Sequence, residues 1–264
     1  MTTVHDIAEF LESLAPAATA ESWDNVGLLC GRRDKPVRRI LVALDPFLPV
    51  CREAAELGAD LLVTHHPLIF SPLKALTEDA EPGACALFLA EQGIAAINAH
   101  TNYDVAAEGV NQILAKTLGL GDIRVLDPLG LDKQGQQFGL LRRGTVPSTP
   151  LPEFLAQVKS ALGVPCLRFC HGGKPVQQVA VGGGACAGEL HRVAQAGCDT
   201  FITADVKYNQ FRDAEYLGLN LIDAGHFYTE NPAVKALARK LQENFPEIQV
   251  VFSQNHRDSM KFFP

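Results

Sequence analysis

The sequence predicts an α/β protein built from two similar lobes on mostly parallel sheets, and three observations predict it. Short apolar runs bounded by glycine alternate with stretches of helical spacing over residues 39–118. The alternation resumes at Val179. The second series also repeats the first: Ala55-Glu56-Leu57-Gly58-Ala59-Asp60-Leu61-Leu62-Val63-Thr64-His65-His66 has a counterpart in Ala194-Gln195-Ala196-Gly197-Cys198-Asp199-Thr200-Phe201-Ile202-Thr203-Ala204-Asp205. Ala, Gly, Asp and Thr coincide, and the apolar positions match. The same offset lays Ile40–Leu44 on Val179–Gly183, and Gly93 to Asp104 resembles Gly218 to Glu230 with one residue inserted. Any two β-α-β units look somewhat alike, but spacing kept over so long a span favours duplication of one α/β unit.

Taken in order, Ile7, Phe10, Leu11 and Leu14 form a helical apolar stripe over residues 5–15. Trp23-Asp24-Asn25-Val26-Gly27-Leu28 reads as a turn entering an extended segment. Ile40 to Leu44 is a short strand, and Pro49 to Leu57 is a helix stopped at Gly58, a suitable C′ glycine. Asp60 to Thr64 is a second strand, ended by His65-His66-Pro67. Residues 82–92 predict a helix closing at Gly93, Ile94 to Asn98 a third strand, and Asp104 to Leu118 a helix. Strands alternating with helices imply a mostly parallel sheet. Residues 121–178, rich in Gly and Pro, read as a connecting region with a hairpin and one helix near 152–162, with Pro152 in its first turn. The expected organisation is a first lobe over 1–120, this connector, and a second lobe over 179–264, the lobes forming one functional unit with the site between them.

Composition bounds the function. With 264 residues, 47% apolar and 20% charged, the chain reads as an ordinary globular protein. A net charge of -7 gives no electrostatic reason for sequence-independent nucleic-acid binding. The run Arg32, Arg33, Lys35, Arg38, Arg39 reads as a solvated surface turn. The first residues lack a basic stretch followed by an apolar run, and no apolar segment is long enough to span a membrane. Seven cysteines without a Cys-x-x-Cys pair fit reduced thiols, so a cytoplasmic location is expected. Cys166, Cys170 and His171 lie close in sequence but lack a fourth nearby ligand, and such a set is more often core or loop.

The chemistry sits where strands end. Asn98-Ala99-His100-Thr101-Asn102-Tyr103-Asp104 and Asp223-Ala224-Gly225-His226-Phe227-Tyr228-Thr229-Glu230 each place a histidine at a strand end and a carboxylate four residues on. Ligands of parallel sheets bind at the carboxyl ends of the strands. His65-His66 sits at a third strand end, where the turning chain lets neighbouring imidazoles reach different ions. Imidazole suits Zn, Fe, Ni or Cu, while carboxylate adds Mn and bridges two cations, which in such centres lie about 3.5–4 Å apart. Each piece alone has a plainer reading: a surface or capping pair for His-x3-Glu, a helix N-cap for Asp104. The combination at repeated strand ends favours metal.

At these residues the sequence resembles the Nif-three-like dinuclear metal family, whose members are often labelled GTP cyclohydrolase 1 type 2 homologs. The resemblance covers nearly the whole chain. It is carried by Trp23-Asp24-Asn25-Val26-Gly27-Leu28, Thr64-His65-His66-Pro67-Leu68, the two histidine–carboxylate segments above, and Thr203-Ala204-Asp205-Val206-Lys207-Tyr208. It implies a three-layer α/β/α fold built by duplication and a homohexameric ring. It implies two divalent metal ions per chain (Zn, Fe or Mn) on His65, His66, Asp104, His226 and Glu230, with Glu230 bridging and His100 a further ligand or a supporting donor. The label implies a metal-dependent hydrolase that attacks the purine ring of GTP or a related small molecule, with His100 and Lys207 as candidate catalytic residues. The alternative is a non-catalytic metal-binding ring scaffold or regulatory interaction protein. The family's usual glycine before Asp-Val-Lys is Ala204 here, and the mid-chain domain that some members carry has no room in this sequence.

Further candidates surround these motifs. The amides of Gly182-Gly183-Gly184, between a strand and a helix, suit a phosphate, with an unliganded tight turn as the alternative. Lys207 would neutralise a phosphate or a reacting oxygen, and Tyr208 would line the pocket, although surface lysine is the commoner fate. Trp23 and Asp24 rim the site or serve packing and capping. The tail, Ser253 to Pro264, covers its own core or docks on a neighbouring subunit.

Overall fold

Asp60 and Asp199, paired by the repeat, do the same work in the fold. Asp60 accepts the backbone N–H groups of Arg38 and Arg39 at 2.8 and 3.2 Å. Asp199 accepts those of Gln177 and Gln178 at 3.0 and 2.7 Å. Each carboxylate thereby fixes the entry of one parallel strand against its neighbour. The glycines before them, Gly58 and Gly197, have φ of 63° and 79°, the left-handed conformation that lets a helix turn directly into a strand.

The computed structural model describes residues 1–263. In chain order its helices are α1 (Val4–Leu14), α2 (Leu48–Glu56), α3 (Glu81–Glu91), α4 (Thr101–Val105), α5 (Val110–Thr117), α6 (Leu151–Leu162), α7 (Leu190–Gln195), α8 (Tyr208–Tyr216) and α9 (His226–Asn244). Its strands are β1 (Gly27–Cys30), β2 (Arg39–Ala43), β3 (Leu61–Thr64), β4 (Ala95–Asn98), β5 (Gly121–Val125), β6 (Gly130–Leu131), β7 (Gln137–Phe138), β8 (Arg142–Thr149), β9 (Arg168–Cys170), β10 (Val176–Val181), β11 (Thr200–Thr203), β12 (Asn220–Asp223) and β13 (Gln249–Phe252). The chain forms two compact units. One comprises Met1–Tyr103 and Val234–Arg257; the other comprises Asp104–Ala233 and the described residues from Asp258 on.

The first unit carries a five-stranded sheet in the order β1-β4-β3-β2-β13, parallel except for β1. Its central strands are buried on both faces, so they read as unbroken apolar runs. Leu41, Ala43, Leu62 and Ala96 pack against Val50, Cys51 and Ala54 of α2 and Cys85, Ala86 and Leu89 of α3. The Ser253–His256 segment is tied to the same unit. Ser253 and the N–H groups of Gln254 and Asn255 bond to the Glu53 carboxylate, and His256 Nδ1 accepts the Leu44 N–H at 2.9 Å. That bond needs an unprotonated Nδ1, and burial lowers the His256 pKa. A base whose pKa is depressed by folding stabilises the fold fully above its ordinary value and loses that contribution as pH falls through the lowered one. Urea unfolding is therefore expected to show stability declining below the ordinary histidine value, with a flatter profile in His256→Gln.

The second unit carries a six-stranded sheet in the order β5-β8-β10-β11-β12-β9. β10, β11 and β12 are parallel, but β5, β8 and β9 join antiparallel, so the expected parallel bias holds in the first sheet and fails in this one. Leu114 and Ala115 of α5 and Leu151, Phe154 and Val158 of α6 cover one face, and Leu190, Val193 and Ala214 of α7 and α8 cover the other. Residues 121–178, read from sequence as a connector, supply β5, β8, β9 and α6 to this layer. Pro147 and Gly144 interrupt the apolar pattern of β8 and hide it from a periodicity reading.

The helix expected over Asp104 to Leu118 is two helices. The Ala106 carbonyl accepts the Gly109 N–H and Arg142 Nη2 instead of continuing the helix. Arg142 is 1% exposed. It donates to Ala106 O at 2.7 Å, Gly139 O at 2.6 Å and Gln112 Oε1 at 3.1 Å, and burial lowers its pKa to about 10, which leaves it charged at neutral pH. Arg142→Met would take this donor from the buried Gly139 carbonyl, at a cost of about 1–3 kcal/mol, and leave the Ala106 carbonyl with the Gly109 N–H alone. A urea titration is expected to show a lowered midpoint for that variant.

Candidate metal centre

In the first unit β3 ends in His65-His66 and β4 in Asn98, with His100 two residues beyond. Parallel pairing brings Thr64 opposite Asn98, so both strand ends deliver their histidines to one edge of the sheet. The rings lie 5.1 Å apart for His65 and His66, 5.2 Å for His65 and His100, and 5.5 Å for His66 and His100. One ring nitrogen from each lies within 4.8 Å of the other two.

What holds the rings decides which nitrogen faces inward. His65 Nδ1 is 2.8 Å from the Ala99 carbonyl, His66 Nδ1 2.6 Å from Asp45 Oδ1, and His100 Nδ1 2.9 Å from Asp24 Oδ1. Each partner is an acceptor, so each Nδ1 carries a proton and Nε2 is the nitrogen able to serve a metal. Asp24 is itself anchored by the N–H and hydroxyl of Thr101. Burial works to raise the Asp24 pKa, but the hydrogen bonds from His100 and Thr101 outweigh it and hold the carboxyl below its usual value. Its contribution is present above the ordinary carboxylate range and lost as pH falls through the lowered value.

The second unit repeats the device. His226 opens α9, with Nδ1 2.8 Å from Asp205 Oδ2. Asp205 reaches it from a left-handed turn, φ 53°, a conformation that aspartate tolerates better than most residues. One helical turn on, Glu230 Oε2 stands 3.1 Å from His226 Nε2, and Glu230 is 3% exposed. Two lone-pair atoms at this distance repel unless a proton or cation lies between them. The wall behind is Gly184: a Cβ there would collide with Glu230 Oε1 and come within 3.1 Å of His226 Nε2. Asp104, in α4, belongs to this unit. Burial first, and then the charges of Asp104 and Glu230, push the Cys186 thiol well above its ordinary pKa and keep it a neutral thiol.

These donors fit a divalent metal. They are imidazoles and buried carboxylates, the ligand chemistry of Zn, Fe and Mn, and the oxygens behind the rings are the orienting partners that metal-bound histidines have. Sequence reasoning singled out His65, His66, His100, Asp104, His226 and Glu230. It treated Asp24 as a rim or cap and missed Asp45. The phosphate reading of the glycine turn is corrected. Gly182 N–H donates to Ile202 O, Gly183 N–H to Asn111 Oδ1 at 2.6 Å, and Gly184 N–H to Thr229 Oγ1 at 3.0 Å, so the amides are spent. The turn's glycines instead allow the backbone to approach Glu230. Lys207 caps α8, with its own N–H on Gln210 Oε1, and its side chain is exposed. Cys166, Cys170 and His171 form no candidate ligand group among the described residues.

Fold and site together define an α/β protein with histidine and glutamate groups able to hold a metal ion. The chain belongs to the Duf34/NIF3 (NGG1p interacting factor 3) family, whose model matches residues 2–259. It is 32% identical to a GTP cyclohydrolase 1 type 2 homolog of Clostridium perfringens over 98% of this chain and 99% of that one. A Nostoc protein of the same name is 36% identical over 92% and 95%. Among solved structures, a hypothetical protein of Staphylococcus aureus superposes with a TM-score of 0.92 at 31% identity, covering 99% of both chains. A Bacillus cereus protein related to NIF3 gives 0.93 at 27% identity, covering 100% of this chain and 99% of that one. Among the described residues, no helix is long and apolar enough to cross a membrane.

Proposed function

We propose that the chain is a dinuclear metal-dependent hydrolase acting on a nucleotide or a related small molecule. His65, His66, Asp104, His226 and Glu230 would hold the ions, with Glu230 as the carboxylate that would serve both. The observation that carries this reading is the common arrangement of four histidines, each with Nδ1 held by an oxygen. Metal-bound histidines are oriented this way by a carboxylate or carbonyl on the other ring nitrogen, and four such histidines in one chain favour a coordination device. Paired divalent ions lower the pKa of bound water and stabilise charge on an attacked oxygen. The chain's own part is to orient the imidazoles through Asp24, Asp45, Asp205 and the Ala99 carbonyl. Buried Glu230 supplies negative charge that offsets the cations.

The substrate class comes from the relatives' name, which says GTP cyclohydrolase, and the reading includes a homohexameric ring in the cytoplasm. Assay of metal-loaded protein against GTP, other nucleotides, phosphodiesters and small amides tests it. Turnover of one of these, lost in Glu230→Gln, is the expected result. A fully metal-loaded protein that turns over none of them would instead be a metal-binding scaffold, the reading closer to the family's description as an interacting factor.

A further inference from the structure

The imidazole set of the first unit does not end at His100. Trp23 and Phe70 continue it outward: the Trp23 and His100 ring centres are 6.4 Å apart, Phe70 and His100 6.3 Å, and Trp23 and Phe70 5.8 Å with planes at 59°. Both outer rings are open, Trp23 at 58% and Phe70 at 51% exposure. They are nonetheless anchored. Asn25 Nδ2 donates to the Ile69 carbonyl at 2.6 Å, which joins the segment bearing Trp23 to the one bearing Phe70. Asn98 Nδ2 holds the Asn25 carbonyl at 3.1 Å from the end of β4, and Asp24 holds His100 and Thr101. The two segments that carry these rings are therefore tied by polar bonds of neighbouring residues while the ring faces stay exposed.

We infer that Trp23 and Phe70 form the ring-binding platform of the proposed site, recognising a planar heteroaromatic substrate by stacking on one face and edge contact with the other. This rests on the metal-site reading for its chemistry and goes beyond it in naming the residues that select the substrate. Rings inclined at 59° form an open angle suited to a flat guest. A guest held there lies beside His100, one member of the three-imidazole group. Stacking distinguishes a ring from a sugar phosphate, because every heteroaromatic ring presents a π-face and ribose does not. An aliphatic amide or simple phosphodiester would use neither ring.

Trp23 is the chain's one tryptophan, so its fluorescence reports this place alone. The experiment titrates metal-loaded protein with guanosine and, separately, with ribose 5-phosphate, in wild type and Phe70→Ala. Trp23→Leu is followed by calorimetry, and metal content is measured for every sample. The inference expects saturable quenching by guanosine but not by ribose 5-phosphate. It expects binding about 5- to 100-fold weaker when either ring is removed, with metal content unchanged. Absence of quenching in metal-loaded wild type overturns it and leaves the metal reading standing, as does equal affinity in Phe70→Ala. Protein that takes up no metal but still binds guanosine through these rings sinks the metal reading instead. Emission that is already blue-shifted and moves red on dilution would mean that a second copy of the chain covers the rings, and would overturn the platform.

Discussion

Gly184→Ala is expected to abolish metal binding at His226 and Glu230 and to lower the stability of the second unit. Two independent effects act at this position. Its φ of 61° is left-handed, where a residue with a Cβ costs about 1–3 kcal/mol. The new methyl would also occupy the space of Glu230 Oε1, displacing the carboxylate from His226. Glu230 is buried in a packed wall with Gly183 also against it, so it has nowhere equivalent to go. Gly188 is the control. It lies a few residues along the same segment with ordinary φ, and nothing stands within 4 Å of its added Cβ. Thermal melting and metal titration should leave Gly188→Ala at wild type. In Gly184→Ala both the midpoint and the metal uptake should fall.

The carboxylates behind the histidines give the second large effect. Asp45→Asn and Asp205→Asn keep shape but remove the charge that fixes the imidazole tautomer at His66 and His226. An asparagine that turns its amide toward Nδ1 favours the opposite tautomer, with the proton on Nε2 where a ligand lone pair is needed. Loss of such a supporting partner lowers metal affinity by about 10- to 100-fold. Competition with a chromogenic chelator measures this directly. Because both aspartates are partly exposed, unfolding midpoints should change little, which separates this loss from that of Gly184→Ala.

Much of the arrangement was legible in the sequence, for reasons these variants expose. His65, His66, His100 and His226 stand at the ends of short buried strands, and burial on both faces made β2, β3, β4, β11 and β12 visible as apolar runs. The repeat was readable because Asp60 and Asp199 do an identical local task within a few residues of their strands. Asp45 and Asp24 were not legible as imidazole holders, since nothing local joins Asp24 to a histidine 76 positions away. The glycine turn failed differently: glycines that cradle a phosphate and glycines that admit a neighbouring carboxylate have the same composition. β5, β8 and β9 were lost in the connector because their antiparallel pairing leaves exposed, interrupted strands with no clean period.

Elemental analysis of protein purified without chelators, in wild type and in His65→Ala, His66→Ala, Asp104→Ala, His226→Ala and Glu230→Ala, bears most directly on the metal assignment. A paired divalent metal in wild type, reduced by every one of the five replacements, is the predicted result. Metal-free wild type that also fails to take up Zn, Fe or Mn on dialysis would contradict it, as would a bound metal that all five variants retain.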